Sequence, residues 1–180
     1  MIRSLIAAFA LTLALALPAA AQAPKTDPQN TIIMQTTKGP VVIALRADIA
    51  PQHAERIKLL AREGYYDNVP FHRVIEGFMA QTGDGQFGNG TGGSRYPNLP
   101  AEFSAVPFTR GTVGMARASS PNSANSQFFI TFGDASFLNG QYTVIGQVVS
   151  GMENVDKIKR GEPVANPDKI VSMKVAADAK

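Results

Sequence analysis

Between Phe71 and Gly85 the chain reads FHRVIEGFMAQTGDG, which places an arginine, a glutamine and several large apolar side chains within a few residues of one another. Two-residue alternation predicts Phe71, Arg73 and Ile75 on one strand face, with His72 and Val74 on the other. Core packing accounts for the apolar members of this run. It does not account for Arg73, because a guanidinium in an apolar strand costs free energy unless it reaches solvent, a partner or a ligand.

Other chemistries find less support. Gly83-Asp84-Gly85-Gln86-Phe87-Gly88 matches the G-x-G-x-x-G pattern of dinucleotide-binding turns letter for letter. That pattern works only where a helix opens directly after it and aims its N-terminus at a pyrophosphate. Residues 89–100 are instead rich in Gly and Pro, so a glycine-rich surface loop is expected and a nicotinamide-dependent oxidoreductase is the weaker reading. A serine hydrolase lacks its G-x-S-x-G elbow, and the only histidines are His53 and His72. Of these, His53 is expected on the surface of a helix and His72 in a structural role. No ligand-spaced cluster suggests a metal, and Glu76, Asp84 and Glu102 carry no pattern of a glycosidase pair. With no Cys in the chain, thiol chemistry, thiolate zinc sites and disulfides are excluded outright.

The elements that must hold Arg73 are short strands. TIIMQTT (31–37), VVIALRA (41–47), PFHRVI (70–75), FMAQTG (78–83), TVGMA (112–116), QFFITF (127–132), TVIGQVV (143–149) and KIVSMKVAA (169–177) each carry strand patterning between turn residues. Pro51 to Glu63 predicts a helix with Pro51 in its first turn, Asp48 near its positive end, Gly64 beyond it and an apolar stripe of Ala54, Ile57, Leu60 and Ala61. A second helix is expected over Met152–Lys159. Close-spaced strands with few helices predict an antiparallel barrel or sandwich in preference to alternating βαβ units.

The 180 residues are 44% hydrophobic and 17% charged, which suits one packed domain. Seventeen Lys and Arg against 14 Asp and Glu give a net charge of only +3, and no like-charge run or aromatic-spaced basic stripe appears, so no nucleic-acid partner is expected. Residues 1–21 read as a secretory signal peptide: Arg3, an apolar run from Leu5 to Leu17, then Ala19-Ala20-Ala21 before a cut that leaves Gln22 first. The run is too short for the roughly 20 residues of a membrane span. A loose leader is expected at 22–30 and the folded domain at 31–180. The protein is therefore expected to be exported, to the periplasm if its source is a Gram-negative bacterium, and to keep no membrane span after cleavage.

FHRVIEGFMAQTGD at 71–84, GNGTGG at 88–93, GTVGMARASSPNSANSQFFI at 111–130 and FLNGQYTVIGQVVSGMENVDKI at 137–158 together resemble, in this order, the cyclophilin family of peptidyl-prolyl cis/trans isomerases. The resemblance runs from about Thr31 to Ala176. It implies a mainly β fold, an eight-stranded antiparallel β-barrel capped by two α-helices, that rotates X-Pro bonds in other polypeptides and assists the folding of exported proteins. It implies that Arg73 is catalytic, that Phe78, Met79, Phe129 and Leu138 line a pocket for the proline ring, and that Gln81 orients the arginine and contacts substrate. Ala116, Arg117 and Ala118 would pair their backbone with the peptide and Gln127 would line the adjoining groove. Three positions depart from many eukaryotic members: Phe137 stands for Trp, Tyr142 for His and Arg117 for Asn. The first two resemble bacterial members.

These residue types suit the reaction. Rotation about X-Pro faces a barrier of roughly 18–20 kcal/mol from amide resonance and needs no nucleophile, proton transfer, cofactor or metal. In the twisted amide the proline nitrogen regains a lone pair, so a fixed donor beside it binds the transition state better than either planar ground state. A monomer acting on proline-containing polypeptides is expected, with weak cyclosporin binding, since Phe137 lacks the indole N–H donor. A binding module or holdase on the same scaffold is the alternative of a different class, disfavoured by retention of Arg73, Phe78, Gln81 and Phe129.

Overall fold

The computed structural model describes residues 27–179. The expected export segment, and the leader through residue 26, lie outside the described residues. The last residues before the first strand, Pro28–Asn30, form a 3-10 turn, capped where the Asp27 carboxylate accepts the Gln29 N–H at 3.0 Å.

Eight strands form where alternation and turn residues predict them. They are β1 (Thr31–Thr36), β2 (Gly39–Leu45), β3 (Arg73–Ile75), β4 (Met79–Thr82), β5 (Thr112–Met115), β6 (Phe128–Thr131), β7 (Val144–Ser150) and β8 (Ile170–Val175). All pair antiparallel in one sheet, in the order β3-β4-β6-β5-β7-β2-β1-β8. The sheet curls until its edges meet. There Pro70 bridges Lys169, the Phe71 N–H donates to Asp168 O at 2.9 Å and the Ile170 N–H to Val69 O at 2.8 Å. The barrel is thus a curled half-barrel closed by a few loop hydrogen bonds and not by a β3–β8 ladder.

Alternate residues of every strand point inward, and Ile32, Met34, Ile43, Val113, Phe128, Ile130 and Met173 fill the interior. Helix α1 (Pro51–Arg62) covers one end, with its stripe of Ala54, Ile57, Leu60 and Ala61 buried as predicted. Helix α2 (Met152–Val155), against β2, is shorter than expected, ending well before Lys159.

Three expectations fail here for one reason, long-range contact. His53 is fully buried on α1 and not at the surface, its Nδ1 2.6 Å from Glu102 Oε2. Glu102 also accepts the Gln52 and His53 backbone N–H groups at 3.2 and 3.1 Å, so it, and not Asp48, balances the positive end of α1. Asp48 is turned to Arg46 instead. Finally, Phe71 does not share a face with Arg73. Strand geometry begins only at Arg73, and Phe71, ahead of it, turns into the main core alongside Val74.

Candidate active site

Cross-strand register assembles the site. Arg73 pairs with Gln81, Gln81 with Phe129 and Phe129 with Gly114, so one row crosses β3, β4, β6 and β5 on the outward face. The neighbouring row, Val74, Ala80, Ile130 and Val113, faces the core. Period-two alternation thus puts an arginine, an amide and an aromatic ring side by side outside the barrel.

Under this row lies a second, smaller apolar cluster of Met79, Phe108, Phe129, Ala135, Leu138 and Val144, separate from the interior. Gly114 makes it possible. A Cβ there would stand 2.6 Å from both the Phe108 and Phe129 rings, which stack with centroids 5.7 Å apart. Tyr142 meets Phe129 edge-on at 5.8 Å, and Phe137, largely exposed, leans on Phe78 at 5.2 Å.

The result is a cleft of about 280 Å³ lined by Arg73, Phe78, Met79, Gln81, Ala116, Arg117, Phe129, Phe137, Leu138 and Tyr142. A second cavity of about 320 Å³ adjoins it, sharing Gln81, Ala116 and Arg117 and extending over Ala118, Gln127, Ser123, Asn125 and the Gly90–Gly93 loop. Every residue expected at the site lines one of these two cavities. Asn98, Ser123 and Asn125, which also wall the second one, were not anticipated; the signal for Ser123 and Asn125 lies in the polar run SSPNSANS (119–126), whose Asn125 accepts from Ser94 N at 2.7 Å, and Asn98 carries none.

Arg117 spans the boundary. Its guanidinium lies over the Tyr142 ring at 4.5 Å and donates to the carbonyls of Ala118, Ser119 and Gln141. Its own backbone N–H and C=O have no hydrogen-bond partner among the described residues, which leaves them free for an extended peptide. Gln81 does not hold Arg73. Its amide donates to Gln127 Oε1 at 3.0 Å, and Gln127 in turn donates to Gly90 O and Gly92 O at 2.9 and 2.8 Å, so the amide pair braces the glycine loop. Arg73 is bound through its Nε to the carboxylate of Glu162.

His72 lies behind the strand against Gly90, buried, with neither ring nitrogen hydrogen-bonded among the described residues. Burial, outweighing the Asp84 charge, holds its imidazole below the ordinary range. The G-x-G-x-x-G segment opens no helix. It folds around Asp84, whose carboxylate accepts five backbone N–H groups from residues 86 to 92 and so fills the position a phosphate would need. Among the described residues no cluster of three metal-ligating side chains occurs, and no helix is long and apolar enough to cross a membrane.

Residues 31–175 match the family model described as cyclophilin type peptidyl-prolyl cis-trans isomerase. The chain belongs to the cyclophilin family. A probable peptidyl-prolyl cis-trans isomerase of Brucella suis is 57% identical, over 99% of this chain and 98% of its own. The isomerase cypE of Dictyostelium discoideum is 40% identical, over 72% of this chain and 85% of its own. Among solved structures, a cyclophilin from Hirschia baltica superposes with a TM-score of 0.80 at 30% identity, covering 86% of this chain and 77% of that one. A cyclophilin-type isomerase of Cryptosporidium parvum, crystallised in the presence of the dipeptide Ala-Pro, superposes with a TM-score of 0.74 at 28% identity, covering 81% and 98%. This cyclophilin is a peptidyl-prolyl cis/trans isomerase, and its cleft sets Arg73 beside the apolar side chains of Met79, Phe129 and Leu138.

Proposed function

We propose that this cyclophilin acts outside the cytoplasm as a monomer, rotating X-Pro bonds of exported polypeptides, with Arg73 as the catalytic donor. The observation that carries the reading is the Arg73–Gln81–Phe129 row above a separate apolar cluster. A proline ring seated on Phe129, Met79 and Leu138 is held while the acyl side turns. Arg73 then donates to the lone pair that the proline nitrogen regains in the twisted amide. The apolar floor, once covered by the ring, keeps away water that would stabilise the planar, polar amide. Lowering the barrier by about 5–7 kcal/mol corresponds to a rate gain of roughly 10⁴ to 10⁵. The free backbone of Arg117 offers the peptide a strand-like partner, and the adjoining cavity takes residues on one side of the proline.

Export rests on the residue pattern at 1–21. Mass spectrometry of protein from the extracytoplasmic fraction is expected to find an N-terminus at Gln22; a membrane-bound chain that retains Met1 overturns the localisation.

Weak cyclosporin binding follows from Phe137, which is 62% exposed at the cleft mouth and has no N–H to donate. Phe137→Trp is expected to tighten cyclosporin by about 1–3 kcal/mol, the usual value of supplying a donor to an acceptor that binding buries. Calorimetry giving equal affinity for both proteins refutes that account.

A further inference from the structure

The catalytic arginine has a polar partner that no motif of the chain announces. The connection from α2 to β8 runs along the free edge of β3, where Val74 and Gly161 exchange both backbone hydrogen bonds at 2.8 Å and the Val164 N–H donates to His72 O at 3.1 Å. This antiparallel bridge fixes the register, so Glu162 faces Arg73 across the edge as Gln81 faces it from the other side. In antiparallel pairing the residues next to a doubly bonded pair lie closer together, with side chains on the same face. The turn beyond is tight: a Cβ on Gly161 would stand 2.8 Å from both Pro163 O and Val164 Cα. Glu162 is thereby carried on backbone that is tied down on both sides of it.

We propose that Glu162 is a positioning residue for Arg73, gripping the guanidinium by its Nε edge so that the terminal nitrogens face the substrate amide. Three observations favour a grip over a latch that competes with substrate. The carboxylate receives Nε–H, and the two terminal nitrogens have no hydrogen-bond partner among the described residues. Glu162 does not line the cleft, whereas Arg73 does. Gln81, the other neighbour in register, is committed to Gln127, so among the described residues Glu162 is the polar group that restrains Arg73. The pair is partly solvent-exposed, at 39% and 56%, and ion pairs open to water add little to stability. What the contact supplies is orientation: a long side chain is fixed before the substrate arrives, and the loss otherwise incurred in the transition state is avoided.

The inference rests on Arg73 being the donor, and the experiment separates the two. Steady-state isomerisation of an uncharged X-Pro peptide is measured for the full-length protein and for Glu162→Ala, Glu162→Gln, Arg73→Ala and the Glu162→Ala/Arg73→Ala double variant. Glu162→Ala is expected to lose about three- to tenfold in kcat with KM within twofold of the parent. Glu162→Gln, which keeps an acceptor oxygen for Nε–H, is expected to recover at least half of that loss. In the Arg73→Ala background the Glu162 change is expected to have no further effect, which a merely structural role would not produce. Raising the salt concentration is expected to slow the parent and leave Glu162→Ala unmoved, because an exposed ion pair is screened. Unchanged or faster turnover in Glu162→Ala, or an equal loss in the Arg73→Ala background, overturns the proposal while Arg73 stands. Near-normal turnover of Arg73→Ala overturns both.

Discussion

Replacing Arg73 by alanine is expected to lower kcat/KM for an X-Pro peptide by about a hundredfold or more, comparable to removing one preorganised donor from an oxyanion site. The loss falls mainly on kcat. The floor of Met79, Phe129 and Leu138, proposed above to seat the proline ring, belongs to a cluster that Arg73 does not build, so ground-state affinity is expected to survive the substitution. Arg73→Lys is expected to recover part of the activity only, since an ammonium lacks the planar fork that can be held at Nε by Glu162 while its terminal N–H groups serve the substrate. For the parent, kcat/KM is expected to stay nearly flat between about pH 6 and 9, because rotation moves no proton. Neither histidine lines the cleft, and burial, the largest influence on each, pushes both His53 and His72 below the ordinary imidazole range. A bell-shaped profile with a limb near the ordinary imidazole value of about 6.5, or near-normal turnover of Arg73→Ala, assigns the chemistry to another group.

The strands and α1 could be read from the sequence because their information is local. Alternation in TIIMQT and the stripe of Ala54, Ile57, Leu60 and Ala61 each report burial at a fixed spacing, whatever the partner. The twelve candidate residues that line the two cavities came from the family resemblance and not from periodicity, which puts Arg73 on a face without saying what that face meets. What stayed hidden is what depends on pairing at a distance. Glu102 reaches His53 and the α1 N-terminus from 49 residues away, and no feature near His53 marks it as buried. Glu162 meets Arg73 across 89 residues through a register set by a single bridge. Phe71 was misplaced because extending the alternation assumes that the strand reaches back that far, whereas the chain between Val69 and Phe71 is occupied in closing the barrel seam. The glycine run is the opposite case: a sequence that matches a phosphate-binding pattern uses its backbone N–H groups on its own Asp84.

That carboxylate is where the largest stability effect is expected. Asp84 is 1% exposed, and its two oxygens accept from Gln86 and Phe87 on one side and from Asn89, Gly90 and Gly92 on the other, at 2.9–3.2 Å. Asp84→Ala leaves these donors without their acceptor and is expected to cost about 2–4 kcal/mol, a fall in Tm of roughly 5–15 °C. Asp84→Asn is expected to be nearly as harmful, because an amide offers one acceptor oxygen and turns an N–H₂ toward donors on the other side. Burial alone would raise the Asp84 carboxyl, but the backbone N–H groups of Phe87, Gly92, Gly90 and Asn89 outweigh it and hold the group below the usual carboxylate range. The sign follows from linkage. A folded-state value below the unfolded one stabilises fully above the unfolded value, near 3.9, and the contribution is lost as pH falls through the folded value. The Tm gap between the parent and Asp84→Asn is therefore expected to be constant from neutrality down to about pH 5 and to narrow below about pH 4. Other lowered carboxylates, such as Glu102 and Asp168, titrate in both proteins and cancel in the difference. Activity should follow the loop, since Gly90 and Gly92 wall the second cavity: long peptides that span both cavities are expected to lose more kcat/KM than short ones confined to the ring pocket. An Asp84→Asn protein that melts within about 1 °C of the parent at pH 7, or a gap that does not narrow in acid, would mean that the Gln81–Gln127 brace, and not the buried charge, holds the glycine loop in place.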